Sequence, residues 1–386
     1  MAIKLLNKSL EEMMKDSRAW IEVNIENLEN NIEQIRKKIK EPTKIMAVIK
    51  ANAYGHGDIL IAKKLNELGI EDFAIATLEE GIHLRENQIN GSILILGYTP
   101  VSKLEKIIKY DLIQTLVDEK YAKQLQEQNQ TGKLLKSQIK INTGMNRIGI
   151  RFNETEKLEE IYNCNKLEIT GVFSHLAIAD SKDESAVEFT KEQIKQLQDC
   201  IKFLKQKGYQ TGKVHIQSSY GMLNYPECNF DYARMGIFIY GIQEEEREDF
   251  KLKPVLSLKS KIESIHKIIK EESVGYGRSY ISGQAQTIAA VSIGYADGYP
   301  RALSNQDTNV ILNGEYVPIV GRICMDQLMI KIPNEMKVEI GDTVTLIGKE
   351  GKKEITANEL AQRSNTISYE IISRLGARLD RFVVEE

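Results

Sequence analysis

The chain has 386 residues, 42% hydrophobic and 28% charged, the composition of a folded globular protein with room for one large barrel and a smaller domain. Its 52 Lys and Arg against 55 Asp and Glu leave a net charge of -3, so no basic field marks it for nucleic acid or an anionic membrane, and a small-molecule substrate is expected. Four cysteines, Cys164, Cys200, Cys228 and Cys324, are scattered without CxxC or Cys/His pairing, which argues against a structural metal or a disulfide framework and fits a reducing cytoplasm.

Residues 1–17 mix Ile3, Leu5, Leu6, Leu10, Met13 and Met14 with Lys and Glu, too broken for a signal-peptide core, and read as a frayed helical extension. No stretch approaches the roughly 18 apolar residues of a membrane span. Residues 19–24 alternate as a strand. Asn24 then offers an N-cap to a helix bearing Ile25, Leu28, Ile32, Ile35 and Ile39 at steps of three and four. Apolar, β-rich runs follow at 44–50, 73–77, 92–98, 113–117, 137–142, 168–174, 213–218 and 233–240. Helical patterns lie between them, such as 58–69 and 183–207, the latter with Ile194, Leu197, Ile201 and Leu204 on one face. Eight strands joined by helical crossovers predict an α/β fold, a closed parallel (β/α)8 TIM-like barrel over residues 25–251. The acidic run EEEREDF after Gln243 reads as a solvated linker. From 252 to 386 the pattern is mostly β, with strands at 255–268, 286–293, 309–312, 316–320, 327–332 and 343–347 and a hairpin turn at Asn313 and Gly314. A helix is expected from Ala357 and a last strand around 381–384. The early strand, residues 18–24, is expected to join this second domain.

In a barrel of this kind, active residues collect at the carboxyl ends of the strands. The run KIMAVIKANAYGHG, 44–57, places Lys50 at such an end, where a low-dielectric surrounding disfavours its charged form and suits it to act as a nucleophile or Schiff-base partner. Tyr54 and the Gly55, His56, Gly57 turn bring a phenol and closely approaching backbone beside it, as a bound phosphate requires. Lys140 and Arg147 bracket the fifth run, His175 ends the sixth, Ser218 and Ser219 the seventh, and Arg234 to Ile237 belong to the eighth. Position alone leaves other readings open: solvated strand-end lysines for Lys50 and Lys140, and a satisfied core histidine for His175.

The segment AVIKANAYGHG resembles the cofactor-lysine segment of the alanine racemase family, and the resemblance runs from about Arg18 to the C-terminus. It implies pyridoxal 5'-phosphate as cofactor, held covalently by Lys50, with Tyr54 on its phosphate. By the same resemblance KINTGMNRIG supplies Lys140, often a carbamate in the family, and Arg147 beside the substrate carboxylate; FSHLAIAD supplies His175. VHIQSSYG supplies Ser219 to the phosphate, with Ser218 standing where many members carry Asn. ARMGIFIYG places Arg234 at the pyridine nitrogen and the amides of Gly236 and Ile237 on phosphate. SVGYGRSY matches the catalytic tyrosine segment, giving Tyr276 as the second base, although a tyrosine in a glycine-rich turn is otherwise just a turn aromatic. IGYADGYPR and GRICMDQL contribute Tyr295, Met325 and Asp326, and NTISYEIISR contributes Tyr369 to the phosphate. The ending LGARLDR departs from the common family pattern.

The resemblance implies a cytoplasmic, two-base racemase interconverting L-alanine and D-alanine, the latter a peptidoglycan precursor, assembled as a head-to-tail homodimer with shared sites and no metal. GYTPVSK and VHIQSSYGMLNYP are also similar to the catalytic domains of the membrane-linked serine racemases of glycopeptide resistance. There the position matching Tyr369 is an asparagine, so alanine is expected here over serine. A non-catalytic cofactor carrier of the single-barrel type shares the lysine loop but lacks the second domain and Tyr276. A barrel-type decarboxylase calls for glycine-rich phosphate loops that this sequence does not show.

Overall fold

The computed structural model describes residues 10–244 and 247–385. Ile3, Leu5 and Leu6 of the expected extension, and Glu245 and Glu246 of the acidic run, lie outside them. A helix at Leu10–Asp16 is followed by β1 (Ala19–Asn24) and the helix Ile25–Lys38. Asn24 Oδ1 accepts from the Asn27 amide at 2.7 Å, the cap that the sequence offers.

The barrel strands are β2 (Lys44–Val48), β3 (Asp72–Ile75), β4 (Ser92–Ile95), β5 (Ile113–Leu116), β6 (Leu135–Asn142), a two-residue β7 (Ile150–Arg151), β8 (Leu167–Phe173), β9 (Lys213–His215) and β10 (Tyr232–Met235). Omitting β7, which hangs on the end of β6, the order β2-β3-β4-β5-β6-β8-β9-β10 closes through parallel pairing of β10 with β2. All eight apolar runs therefore become strands of one parallel barrel. Most are buried almost throughout, because a parallel barrel covers both faces of its strands; β8 is the exception, exposed or half-buried over residues 168–170. Helices return the chain between them, the longest being Glu184–Gln206, which buries Ile194, Leu197, Cys200, Ile201 and Leu204 on its inner stripe.

The second unit contains β11 (Leu256–Ile268), β12 (Ser273–Val274), β13 (Tyr280–Ile281), β14 (Gln286–Val291), β15 (Asn309–Leu312), β16 (Glu315–Val320), β17 (Leu328–Ile332), β18 (Thr343–Glu350), β19 (Lys353–Ile355) and β20 (Asp380–Val384). The long strand β11 organises it. Up to Lys261 it pairs with β1 and β18; from Ile262 it pairs with β14, with register shifts at Leu258/Lys259 and Ile262/Ser264. Such irregularities bend a strand and raise its twist. They let the ring β11-β14-β17-β16-β15-β18 close on itself, with β1 and then β20 added on the free side of β11. Asn313 and Gly314, at φ 53° and 76°, make the expected tight turn between β15 and β16. The segment from Tyr240 onward packs with β1 and with Tyr54–Gly57, while Ile32–Ala53 and Asp58–Ile239 form the barrel unit. The acidic run is not wholly solvated: Phe250 is fully buried and bridges to Arg247. One aromatic among five acids carries enough apolar area to anchor the segment.

Candidate active site

Behind β2 the chain passes Lys50 and enters an unusual turn. Ala51, Asn52, Ala53 and Tyr54 all have φ between 51° and 55°, a left-handed turn built without glycine. Each such residue costs about 1–2 kcal/mol, so neighbouring groups must offset it. Glu80 does so: Oε1 accepts from the Ala51 amide at 2.6 Å, and Oε2 accepts from Ala76 and Thr77 at 2.7 and 3.1 Å. Asn52 Oδ1 takes the Asp58 amide at 2.9 Å. Thr77 and Glu80 form a capping box, which the spacing T-x-x-E makes legible; the reach to Ala51 is not.

Lys50 is less basic than an ordinary lysine. Burial is the largest cause, followed by the Arg147 guanidinium, with Arg234 adding to it and Glu80 opposing. Lys140, on β6, is pushed down to about 7 by burial and by Arg234 and Arg147, and its Nζ donates to Ile141 O at 2.8 Å. Gly149, at φ 110°, lets the Arg147 loop close over this lysine, since a Cβ there would sit 2.8 Å from Lys140 O.

Arg234, on β10, is the centre of the buried network. Its Nη1 donates to His215 Nδ1 at 2.6 Å, and its Nη2 donates to Ser174 O, His175 Nδ1 and Ile216 O at 2.7, 3.0 and 3.1 Å. Every one of these acceptors is neutral, and among the described residues no carboxylate pairs with Arg234. Both histidines lie well below their usual pKa, first through burial and then through Arg234. His215 is therefore neutral, receiving at Nδ1 and giving its Nε2 proton to Gln138 Oε1 at 2.8 Å. Gln193, on the long helix, braces the His175 loop by bonding Ala177 N and His175 O. Gly236 N donates to Ser219 Oγ at 3.2 Å, which joins two of the expected phosphate contacts.

In the second unit, the Tyr54 ring lies 5.0 Å from Tyr240 and 6.0 Å from Tyr369, and His56 stacks on Tyr240 at 4.4 Å. Gly55, at φ 88°, passes so close to Ile372 O that a Cβ would lie 2.1 Å from it. Arg381, from the ending left without a role by the sequence, donates to Gly55 O at 2.8 Å. The remaining residues gather elsewhere in this unit. Tyr276 stands in the turn between β12 and β13, 71% exposed, with Gly277 against the Arg322 guanidinium. Tyr295 and Met325 are 41% and 53% exposed, and the Tyr295 and Ala296 amides bond Cys324 O and Met325 O at 3.0 Å each. Within the barrel unit the structure brings Lys50, Lys140, Arg147, His175 and Arg234 into one electrostatic cluster and sets Ser219 against Gly236, with Ile237 next in the chain. Within the second unit it brings Tyr54 near Tyr369 and ties the Tyr295 turn to the Met325–Asp326 turn, while Tyr276 stands in its own turn between β12 and β13. Sequence reading passed over Glu80, Gln138, His215, Gln193 and Arg381. His215 and Gln138 could have been suspected as polar residues inside apolar strand runs.

A closed parallel barrel that ends one strand on a depressed amine, beside a buried guanidinium held only by neutral acceptors, is the scaffold of a barrel-type pyridoxal-phosphate enzyme. The donor set fits that cofactor, because Arg234 is buried against neutral acceptors alone and Arg147 adds a second cationic side chain beside Lys50 and Lys140, a surrounding suited to an anionic group. Residues 23–244 match the model of the alanine racemase N-terminal domain and residues 255–383 that of its C-terminal domain. The chain is 41% identical over 369 residues to the alanine racemase of Carboxydothermus hydrogenoformans, covering 95% of this chain and 99% of that one. It is 39% identical to an amino-acid racemase of Enterococcus faecalis, of which it spans 51%. The solved structure of alanine racemase from Clostridium difficile 630 superimposes with a TM-score of 0.90 at 35% identity, covering 96% of this chain and 97% of that chain. The chain belongs to the alanine racemase family. Among the described residues no helix is long and apolar enough to cross a membrane.

Proposed function

We propose that this protein interconverts L-alanine and D-alanine, with Lys50 Nζ moving the α-proton on one face of the substrate and Tyr276 Oη moving it on the other. The observation that carries the reading is the buried Arg234 fork beside Lys50, an arginine held by histidines and carbonyls where a carboxylate would be expected if the charge were structural. Pyridoxal phosphate, when bound, supplies an aldehyde to the amines and a ring that acidifies the substrate α-C–H. With the cofactor bound, Arg234 would face the ring nitrogen and, since a guanidinium does not give up its proton near neutrality, would leave that nitrogen unprotonated, a setting that suits return of the α-proton better than transamination. Tyr54, Ser219, Gly236, Ile237 and Tyr369 hold the phosphate in this reading. Arg147 and Met325 contact the substrate, with His175, Tyr295 and Asp326 in support.

Inversion needs a base on each face. We infer a head-to-tail homodimer in which Tyr276, Tyr295, Met325 and Asp326 of one copy complete the site around Lys50 of the other. The exposure of Tyr276, and of Tyr295 and Met325 on two turns bonded to each other, supports it, since large apolar side chains left in water gain by being covered. Lys140 is proposed as a carbamate: an amine titrating near 7 is neutral enough to add CO2, and the resulting anion offsets Arg147 and Arg234. Three buried, unbridged thiols support a cytoplasmic setting, and D-alanine for peptidoglycan is the product use proposed.

The test is a side-by-side assay of L-alanine, L-serine and L-lysine. Alanine is expected to have the highest kcat/KM, serine to follow within about 10²-fold because a small apolar pocket rejects a hydroxyl weakly, and lysine to be poor. A higher kcat/KM for serine moves the assignment to the serine-racemase reading.

A further inference from the structure

The ending LGARLDR matches no expected site motif, yet one of its residues reaches the turns that carry the substrate-side groups. Arg378 Nη2 donates to Asp326 Oδ1 at 2.8 Å, and its Nε lies 3.4 Å from Asp297 Oδ1. Asp297 is fully buried and ends the short helical turn that begins at Tyr295. It is already satisfied without Arg378, because Arg18 grips both its oxygens and the Gly294 amide donates to Oδ2 at 3.0 Å. Asp326 is 45% exposed and follows Met325 directly. Two backbone bonds, from Tyr295 to Cys324 and from Ala296 to Met325, tie the same two turns together. The chain end is tied in as well, since the Gly376 amide donates to Asp297 O at 2.9 Å.

Folding alone gives little reason for the outer half of this bridge. Asp326 is too exposed to need neutralising, and a half-exposed ion pair holds two long side chains still for a small return. What the bridge does fix is geometry. A planar guanidinium spanning two carboxylates sets the distance and angle between the turn bearing Tyr295 and the turn bearing Met325.

We propose that Arg378 is a positioning residue that locks the Met325–Asp326 turn to the Tyr295 turn, and so sets the affinity for the amino-acid substrate without touching it. This rests on the racemase reading above, in which Met325 contacts the substrate and Tyr295 supports it. A loosened turn weakens binding in the ground and transition states alike, so the effect belongs in KM and not in kcat.

The experiment uses the cofactor-loaded enzyme as wild type, Arg378→Met, Arg378→Lys, Asp326→Asn and the double variant Arg378→Met/Asp326→Asn. Arg378→Met is expected to raise KM for L-alanine about fivefold with kcat within about twofold. Asp326→Asn should do the same, and the double variant no more than Arg378→Met alone, because the Arg378–Asp326 pair is lost in all three. Arg378→Lys, which reaches one carboxylate but cannot span two, should fall between. Amide hydrogen exchange over residues 321–328 should quicken in Arg378→Met and Asp326→Asn while melting temperature and cofactor content hold. An unchanged KM, shifts that multiply in the double variant, or a KM rise that merely follows lost cofactor overturns the proposal. Wild type inactive on alanine sinks the racemase reading instead; the exchange rates then still decide whether Arg378 holds the turn.

Discussion

The barrel mouth and the exposed face of the β unit hold the two halves of the proposed chemistry in opposite conditions. Around Lys50 the groups are buried or half-buried and mutually perturbed, so that Lys50, Lys140 and both histidines all shift from their ordinary protonation behaviour. Around Tyr276 the groups stand in water: Tyr276, Tyr295 and Met325 are exposed, and Asp326 is paired only across the surface. One chain thus desolvates its first base by its own folding. The second base gains a low-dielectric setting only when something covers it, and in the proposed dimer that cover is another copy of the chain.

The sharpest way to break this contrast is at the buried end. Lys50→Ala is expected to reduce racemisation by about 10⁴-fold or more, because it removes both the covalent anchor and one base. Visible absorbance of the covalently held cofactor should vanish with it, and turnover retained without an added amine would refute the assignment.

Tyr276→Phe should lower the rate by about 10²- to 10⁴-fold while leaving the cofactor in place. Solvent isotope effects should change unequally in the two directions, since only one face is affected. Mixing the two dead variants tests the sharing of sites. A hybrid dimer holds one site with both Lys50 and Tyr276 of the partner subunit intact, so activity should return to about a quarter of wild type after random exchange. No recovery would place both bases within one chain.

At Lys140 the expected effect is smaller. Stripping CO2 from the buffer should lower activity about tenfold through loss of the balancing anion, with bicarbonate restoring it, and Lys140→Ala should respond to neither. A well-resolved map showing a bare amine and no anion near Arg147 would count against the carbamate.

Lys140 should also make stability depend on pH. In CO2-free buffer the folded chain gives up the Lys140 proton near 7, whereas the unfolded chain keeps it to about 10.5. Between those values the unfolded state binds more protons, so stability should rise with pH by up to about 1.4 kcal/mol per unit. Lys140→Met should flatten that rise in denaturant titrations at pH 7 and 9; an unaltered slope would mean that Lys140 does not titrate in this window.

Strand positions were legible because burial on both faces of a parallel strand leaves an unbroken apolar run, and all eight runs from 44–50 to 233–240 became barrel strands. The cap at Asn24 and the turn at Asn313 and Gly314 were equally local, each a matter of a few neighbouring residues. Lys50, Arg234 and Tyr276 stood out through motifs, in which order along the chain preserves chemical identity. The left-handed turn at Ala51 to Tyr54 was not legible, because no glycine announces it and its support comes from Glu80, 29 residues away. The two-residue strands β7, β12 and β13 were missed for a related reason: they are too short to show a period.

Sequence alone, then, determined the barrel and the β unit and named the candidates for the chemistry, since these depend on periodicity and residue type read locally. Only the tertiary structure decided their state. It turned β11 into a bent strand shared by β1, β14 and β18, surrounded Arg234 with neutral acceptors drawn from two strand ends, and brought Arg378 and Arg381 back to turns far away in sequence. Burial, charge balance and pKa depend on what lies nearby in space, and that is a sum over distant parts of the chain that no local pattern contains.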